Sequence, residues 1–234
     1  MATAVRKPSS GFLNGFTGNG VDALVQLPRE TRTLAGFRAW ALSENCPDKL
    51  RVTYLQGKVL LDLSKEEIRS HALVKIEVGR VLANLNLEID FGYIFIDGVL
   101  ITNVPAAVSN NPDGIAVFWQ SLKRGKVRFL EKNGREMEIV GSPDWVMEIL
   151  SDSSVIKDTV DLRASYHMAK IGEYWLIDAR GDEIDFQILY WRKGGYCQAP
   201  VSDGWQFSRA FGRSFRLMRK RDRLGSWKYT LLVK

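Results

Sequence analysis

Cysteine is nearly absent: Cys46 and Cys197 stand far apart, with no second cysteine or histidine near either at metal-ligand spacing. That excludes a zinc site of the usual kind and argues against a disulfide-stapled secreted scaffold. No apolar run approaches the ~20 residues that a membrane span requires. Residues 9–20, behind Arg6 and Lys7, are rich in Gly, Ser and Asn, so the apolar core of a secretory signal is missing too. Low hydrophobicity, the mark of disorder, is absent as well: seven Trp, seven Tyr and eleven Phe are ample for a packed core. The expectation is a soluble, cytoplasmic protein without membrane contact. At 234 residues the chain suits one domain and is short for two. A net charge of +6 is compatible with a polyanionic partner such as DNA, though many unrelated proteins share it.

Residues 1–28 read as a flexible arm, residues 29–217 as the folded domain and residues 218–234 as a basic tail. Thr31 or Thr33 caps a short helix through Phe37 and Trp40. Two β-prone runs joined by Gln56-Gly57 make a hairpin over residues 52–62. Ser64 with Glu67 has the form of a capping box. It opens a helix over residues 65–87 whose stripe is Ile68, Ala72, Ile76, Gly79 and Leu82. Short strands separated by Gly, Pro and Asn follow up to Leu150, then a helix over residues 158–170 and strands from Tyr174 onward. This order suggests an α/β (α+β) fold with a mixed sheet flanked by helices.

Two acidic residues stand out. Asn111-Pro112-Asp113-Gly114 alone is ordinary turn chemistry. Glu148, however, sits in Trp145-Val146-Met147-Glu148-Ile149-Leu150, where alternation puts Val146, Glu148 and Leu150 on one face. A charge there is costly unless it lies at an exposed strand end, pairs with an arginine or meets a cation. Carboxylates on neighbouring strands can hold one Mg²⁺ (or Mn²⁺) through oxygen, with water completing the octahedron. Asp144 is four residues from Glu148, ~13 Å along one strand, so Asp113 is the better partner.

These residues resemble the pattern of the Uma-type restriction endonuclease family, within the PD-(D/E)XK nucleases. The matching stretches are Pro112-Asp113, Ser142-Pro143-Asp144 through Glu148 to Ser151, Asp158, Tyr166 and Gly172. Glu173-Tyr174-Trp175 running to Asp178 completes that half. Tyr54-Leu55-Gln56-Gly57 resembles the family's early turn, and His71 falls where its helix carries a histidine. Gly204-Trp205 and residues 208–215 resemble its closing segment, giving coverage of roughly 32–217. The resemblance implies a restriction-endonuclease-like fold and metal-dependent phosphodiester cleavage of DNA. Asp113 and Glu148 would be the metal ligands, and His71 a helix residue near the site or simply a half-buried histidine on the stripe.

The chain departs from that pattern. Leu162 stands where the family carries a lysine four residues before the tyrosine, and Leu150 where a strand lysine would be. Thr53 replaces an acidic residue before the early turn. Lysine in this role orients water and stabilises developing charge, which leucine cannot do. Lys157 and Arg163 are the neighbouring cations able to substitute. Two readings follow: a Mg²⁺-dependent DNA endonuclease, or a catalytically silent homologue that keeps the fold and binds nucleic acid or a protein. A homodimer is compatible with either. Six basic residues from Arg213 to Arg223 form either a solvated edge or a phosphate-contacting surface, with Arg213, Arg216, Arg219 and Lys220 as its candidates.

Overall fold

The computed structural model describes residues 27–47, 50–62 and 67–234. The arm expected at 1–28 (save its last two residues) and Ser64 of the capping box lie outside them. After a 3₁₀ turn (Arg29–Arg32), Thr33 accepts the Gly36 amide at 3.1 Å and caps helix α1 (Leu34–Ala41). The hairpin of β1 (Arg51–Leu55) and β2 (Lys58–Asp62) turns on Gln56 and Gly57, both with positive φ, as its twist demands. A π-type turn (Ile68–Ala72) leads into α2 (Leu73–Ile89). Strands β3 (Gly92–Ile96), β4 (Leu100–Asn103), β5 (Val108–Asn110) and β6 (Gly114–Phe118) follow, then the short helix α3 (Trp119–Lys123). Next come β7 (Val127–Lys132), β8 (Arg135–Gly141) and β9 (Trp145–Ile149). A second π-type turn (Lys157–Leu162) runs into α4 (Arg163–Met168). Strands β10 (Glu173–Asp178), β11 (Asp185–Arg192), β12 (Gly195–Gln198), β13 (Val201–Ser202), β14 (Trp205–Ser208), β15 (Arg213–Arg221) and β16 (Trp227–Val233) complete the chain.

The strands form three sheets ordered β2-β1-β5-β4-β8-β7, β12-β11-β10-β9-β6-β3 and β13-β14-β15-β16. The second sheet is central. It is mixed: β9 and β10 are parallel, while β6 and β9 are antiparallel with Gly114 opposite Met147. One face packs on α2 and the third sheet through Val78, Leu82, Trp145, Trp175, Phe215 and Leu231. The other packs on the first sheet and α4 through Val146, Leu176, Ile139, Leu162 and Tyr166. Burial on both faces explains why the central strands read as continuous apolar runs.

Two segments differ from the sequence reading. On α2 the buried residues are Val74, Lys75, Val78, Gly79, Val81, Leu82 and Leu85, so Gly79 and Leu82 of the expected stripe face the core whereas Ile68 and Ile76 are exposed. Ile68 lies in the π-type turn ahead of α2, so its direction does not follow from α-helical spacing along that helix. Residues 218–234, read as a tail, form most of the β15–β16 hairpin, and Tyr229 and Leu231 join the core.

Candidate active site

The antiparallel register of β6 and β9, carried one residue past Gly114, brings Asp113 opposite Glu148 at one end of the central sheet. Opposed residues on neighbouring strands share a face. This is the face of Ile115 and Val146, toward the first sheet. Gly114 is required beside Asp113: a Cβ there would meet the Trp145 ring at 2.7 Å. Asp113 and Glu148 line one cavity together with Arg51, Asp62, His71, Asn110, Lys157 and Asp158. Its free volume of about 20 Å³ admits a water or a bare cation.

Asp113 sits in a cradle of donors. Lys75 Nζ lies 3.0 Å and Arg51 3.4 Å from Oδ1, and His71 Nε2 3.2 Å from Oδ2. The Ile149 amide donates to Oδ2 at 2.9 Å. His71 and Lys75 are four residues apart and reach the same carboxylate from the start of the α2 helix. Burial pushes the Asp113 carboxyl up, but the bond and charge of His71, the Lys75 ammonium and the Ile149 amide outweigh it. Asp113 is therefore held well below the usual carboxylate range.

Glu148 is the opposite case. Its Oε1 accepts from Tyr166 at 2.5 Å and from Asn110 at 3.0 Å. Thr53 donates to Asn110 Oδ1 at 2.5 Å, which orients the amide so that its Nδ2 faces Glu148 and the Tyr166 hydroxyl. No hydrogen bond reaches Glu148 Oε2 among the described residues. Burial, then the charge of Asp158 and that of Asp113, push Glu148 well above its ordinary value, against the opposing pull of Lys157 and Tyr166. Lys157 is raised: burial lowers it, but Glu148, Asp158 and Asp62 together prevail, so it is a fixed cation and no base. Asp158 is raised by burial.

The candidate residues separate clearly. His71, Asp113, Glu148 and Lys157 converge on the cavity. Arg163 does not: its guanidinium reaches the Tyr196 carbonyl at 3.3 Å. Leu162 is wholly buried in the apolar cluster with Val146 and Leu176. Asp158, Leu162 and Tyr166 are all buried on the inner side of this segment, but Asp158 lines the cavity and Tyr166 reaches Glu148, while Leu162 packs among apolar side chains. Arg216 and Lys220 point away from the core on β15. Arg219 shares the face of Phe215 and Leu217, donates to the Ala179 and Gly181 carbonyls and stacks on Trp227. Arg213 lines a groove between α2 and β16.

Lys75, Arg51 and Asn110 were missed by sequence reasoning, and only the four-residue step from His71 to Lys75 signalled any of them. Other motif residues are structural. Asp144 holds the Phe118 amide, Ser121 and Lys126. Glu173 takes the Trp175 indole, Ser208 and the amides of Arg209 and Ala210. Tyr174 donates to the Asp158 carbonyl at 3.0 Å, tying the helix start to β10.

A hard cation suits this donor set: the carboxylates of Asp62, Asp113, Glu148 and Asp158 line the cavity, and Asp158 Oδ1 is buried without a hydrogen bond among the described residues. Among the described residues no three acidic, His or Cys side chains are spaced to ligate one ion together, so water or phosphate oxygen would complete the shell.

Comparison with known proteins bears on the fold and the family. No curated protein matches the chain. A solved structure from Anabaena variabilis, titled "a putative nuclease belonging to DUF820", superposes with a TM-score of 0.55 at 18% identity. The match covers 77% of this chain and 90% of that one, so the two share a fold. The profile of the Uma2 family, described as "putative restriction endonuclease", matches residues 35–218. The chain therefore belongs to the Uma2 family.

Proposed function

We propose that the protein is a metal-dependent endonuclease that hydrolyses phosphodiester bonds in DNA, using Mg²⁺ or Mn²⁺ at the Asp113–Glu148 end of the central sheet. The observation that carries this reading is the convergence of Asp113, Glu148, Asp158 and Lys157 on one buried polar cavity. Buried carboxylates left short of hydrogen-bonding partners are expensive unless a cation completes them. Bound there, a divalent cation supplies Lewis-acid polarisation of the phosphate and a more acidic water.

The chain's own residues provide the rest. Lys157, permanently charged, faces the charge that develops on the phosphoryl oxygens, in place of the family lysine that Leu162 replaces. Asn110 and Tyr166 hold Glu148 in one orientation. His71, Lys75 and Arg51 fix Asp113. Basic residues of the third sheet, Arg216 and Lys220 foremost, are the expected phosphate contacts outside the cavity.

A plasmid-nicking assay with Mg²⁺ or Mn²⁺ tests the proposal. Wild type should convert supercoiled to open-circular DNA, and Glu148→Ala should not. A second reading, a silent DNA-binding homologue, is favoured by Leu162 and by the full donor set on Asp113. It would show DNA binding with no nicking in either protein.

A further inference from the structure

The cavity's carboxylates differ in how much acceptor capacity they have left. An ionised carboxylate offers about four lone-pair sites. Asp113 meets four partners: Lys75, Arg51, His71 and the Ile149 amide. Glu148 meets two, both on Oε1. Asp158 is only 1% exposed, yet its Oδ1 has no hydrogen bond. Lys157 Nζ is ion-paired with that oxygen at 3.2 Å. Among the described residues, the oxygens of the cavity without a hydrogen bond include Glu148 Oε2 and Asp158 Oδ1, with the Lys157 ammonium beside them.

We infer that this chain holds its divalent cation between Glu148 and Asp158, while Asp113 serves as the anchor of His71, Lys75 and Arg51. The inference rests on the metal-dependent reading and relocates its ion. A cation at Asp113 would have to displace Lys75 or His71 from a carboxylate they already neutralise. A cation between Glu148 and Asp158 displaces only the Lys157 ammonium, which then turns toward the cavity mouth. Charge balance favours the same place: Arg51, Lys75 and His71 serve Asp113, the first two shared with Asp97, whereas among the described residues Lys157 is the cation beside Asp158 and Glu148.

Calorimetric titration of the full chain with Mn²⁺ tests this, alongside the Mn²⁺-induced rise in thermal midpoint. Asp158→Asn should weaken Mn²⁺ binding at least tenfold, as should Glu148→Gln, whereas Asp113→Asn should change it less than threefold. Lys157→Met keeps the stem of the side chain and removes the competing ammonium, so it should tighten Mn²⁺ binding at least threefold even if Asp113→Asn folds poorly. Unchanged binding in Asp158→Asn, or no gain in Lys157→Met, overturns the inference and leaves the nuclease reading intact. Wild type that binds no Mn²⁺ overturns both.

Discussion

Replacing Glu148 with glutamine should stabilise the metal-free protein while removing its response to metal. Glu148 faces Asp113 across neighbouring strands, where side chains lie ~5 Å apart. Two unit charges at that separation repel by ~3 kcal/mol at an effective dielectric of 20. Asp158 acts on Glu148 in the same sense and more strongly than Asp113, and Lys157 cancels part of the sum. A net gain of ~2 kcal/mol is expected, or roughly 4–8 °C in Tm for a domain of this size. The glutamine still accepts from Asn110 and Tyr166. The sign of the pH dependence follows from the raised carboxyl. The folded protein holds the Glu148 proton above the ordinary value of 4.5, so this stabilisation is complete below that pH and is lost as pH rises toward the folded pKa. Wild type should therefore lose stability along that rise more steeply than Glu148→Gln. Thermal denaturation from pH 4 to pH 9, with and without Mn²⁺, gives both quantities. A lower Tm for the variant at pH 8, or parallel pH profiles, would refute the electrostatic argument.

Lys157→Met should lower nicking by about 100-fold, the scale of one lost charge-stabilising donor, with DNA affinity within a factor of two in a gel-shift titration. Leu162→Lys puts an unpaired ammonium among Val146 and Leu176, so it should lower the urea midpoint rather than raise cleavage. Arg38 holds the buried Glu138 through two bonds of 2.8 and 2.7 Å, joining α1 to β8. Arg38→Ala strands that carboxylate and should cost ~3 kcal/mol, read as a Tm drop of roughly 6–12 °C. Arg216→Glu with Lys220→Glu, both outward on β15, should weaken DNA binding and flatten its salt slope by about two counterions. An unchanged slope in fluorescence anisotropy would remove that face from the interface.

What the sequence could and could not disclose follows from the range of the interactions involved. Period-two alternation placed Glu148 on the face of Val146, and a two-residue step through Gln56-Gly57 located the first hairpin, because both are set by neighbours in the chain. The Asp113–Glu148 pairing was legible for a related reason, since one acidic residue in an apolar strand demands compensation. Lys75 was not. Its neighbours on α2 are apolar and it reads as a solvent-facing cation, yet it is buried because Asp113 and Asp97 each lie 3.0 Å from its ammonium. The hairpin of β15 and β16 was obscured by composition: Arg216, Lys220 and Arg221 drew attention from the alternation of Phe215, Leu217, Tyr229 and Leu231 that builds the core. The missing lysine shows the limit most plainly. The family pattern pointed to Leu162, four residues before Tyr166, whereas the cation that lines the cavity is Lys157. Lys157 opens a π-type turn, and no propensity along residues 157–162 announces it. The turn is held instead by distant partners: the Tyr174 hydroxyl on the Asp158 carbonyl, and the Tyr166 hydroxyl on Glu148. On the proposed reading, tertiary contacts place Lys157 to do the work of the absent lysine, so substitution at Lys157 is expected to alter nicking and substitution at Leu162 to alter stability.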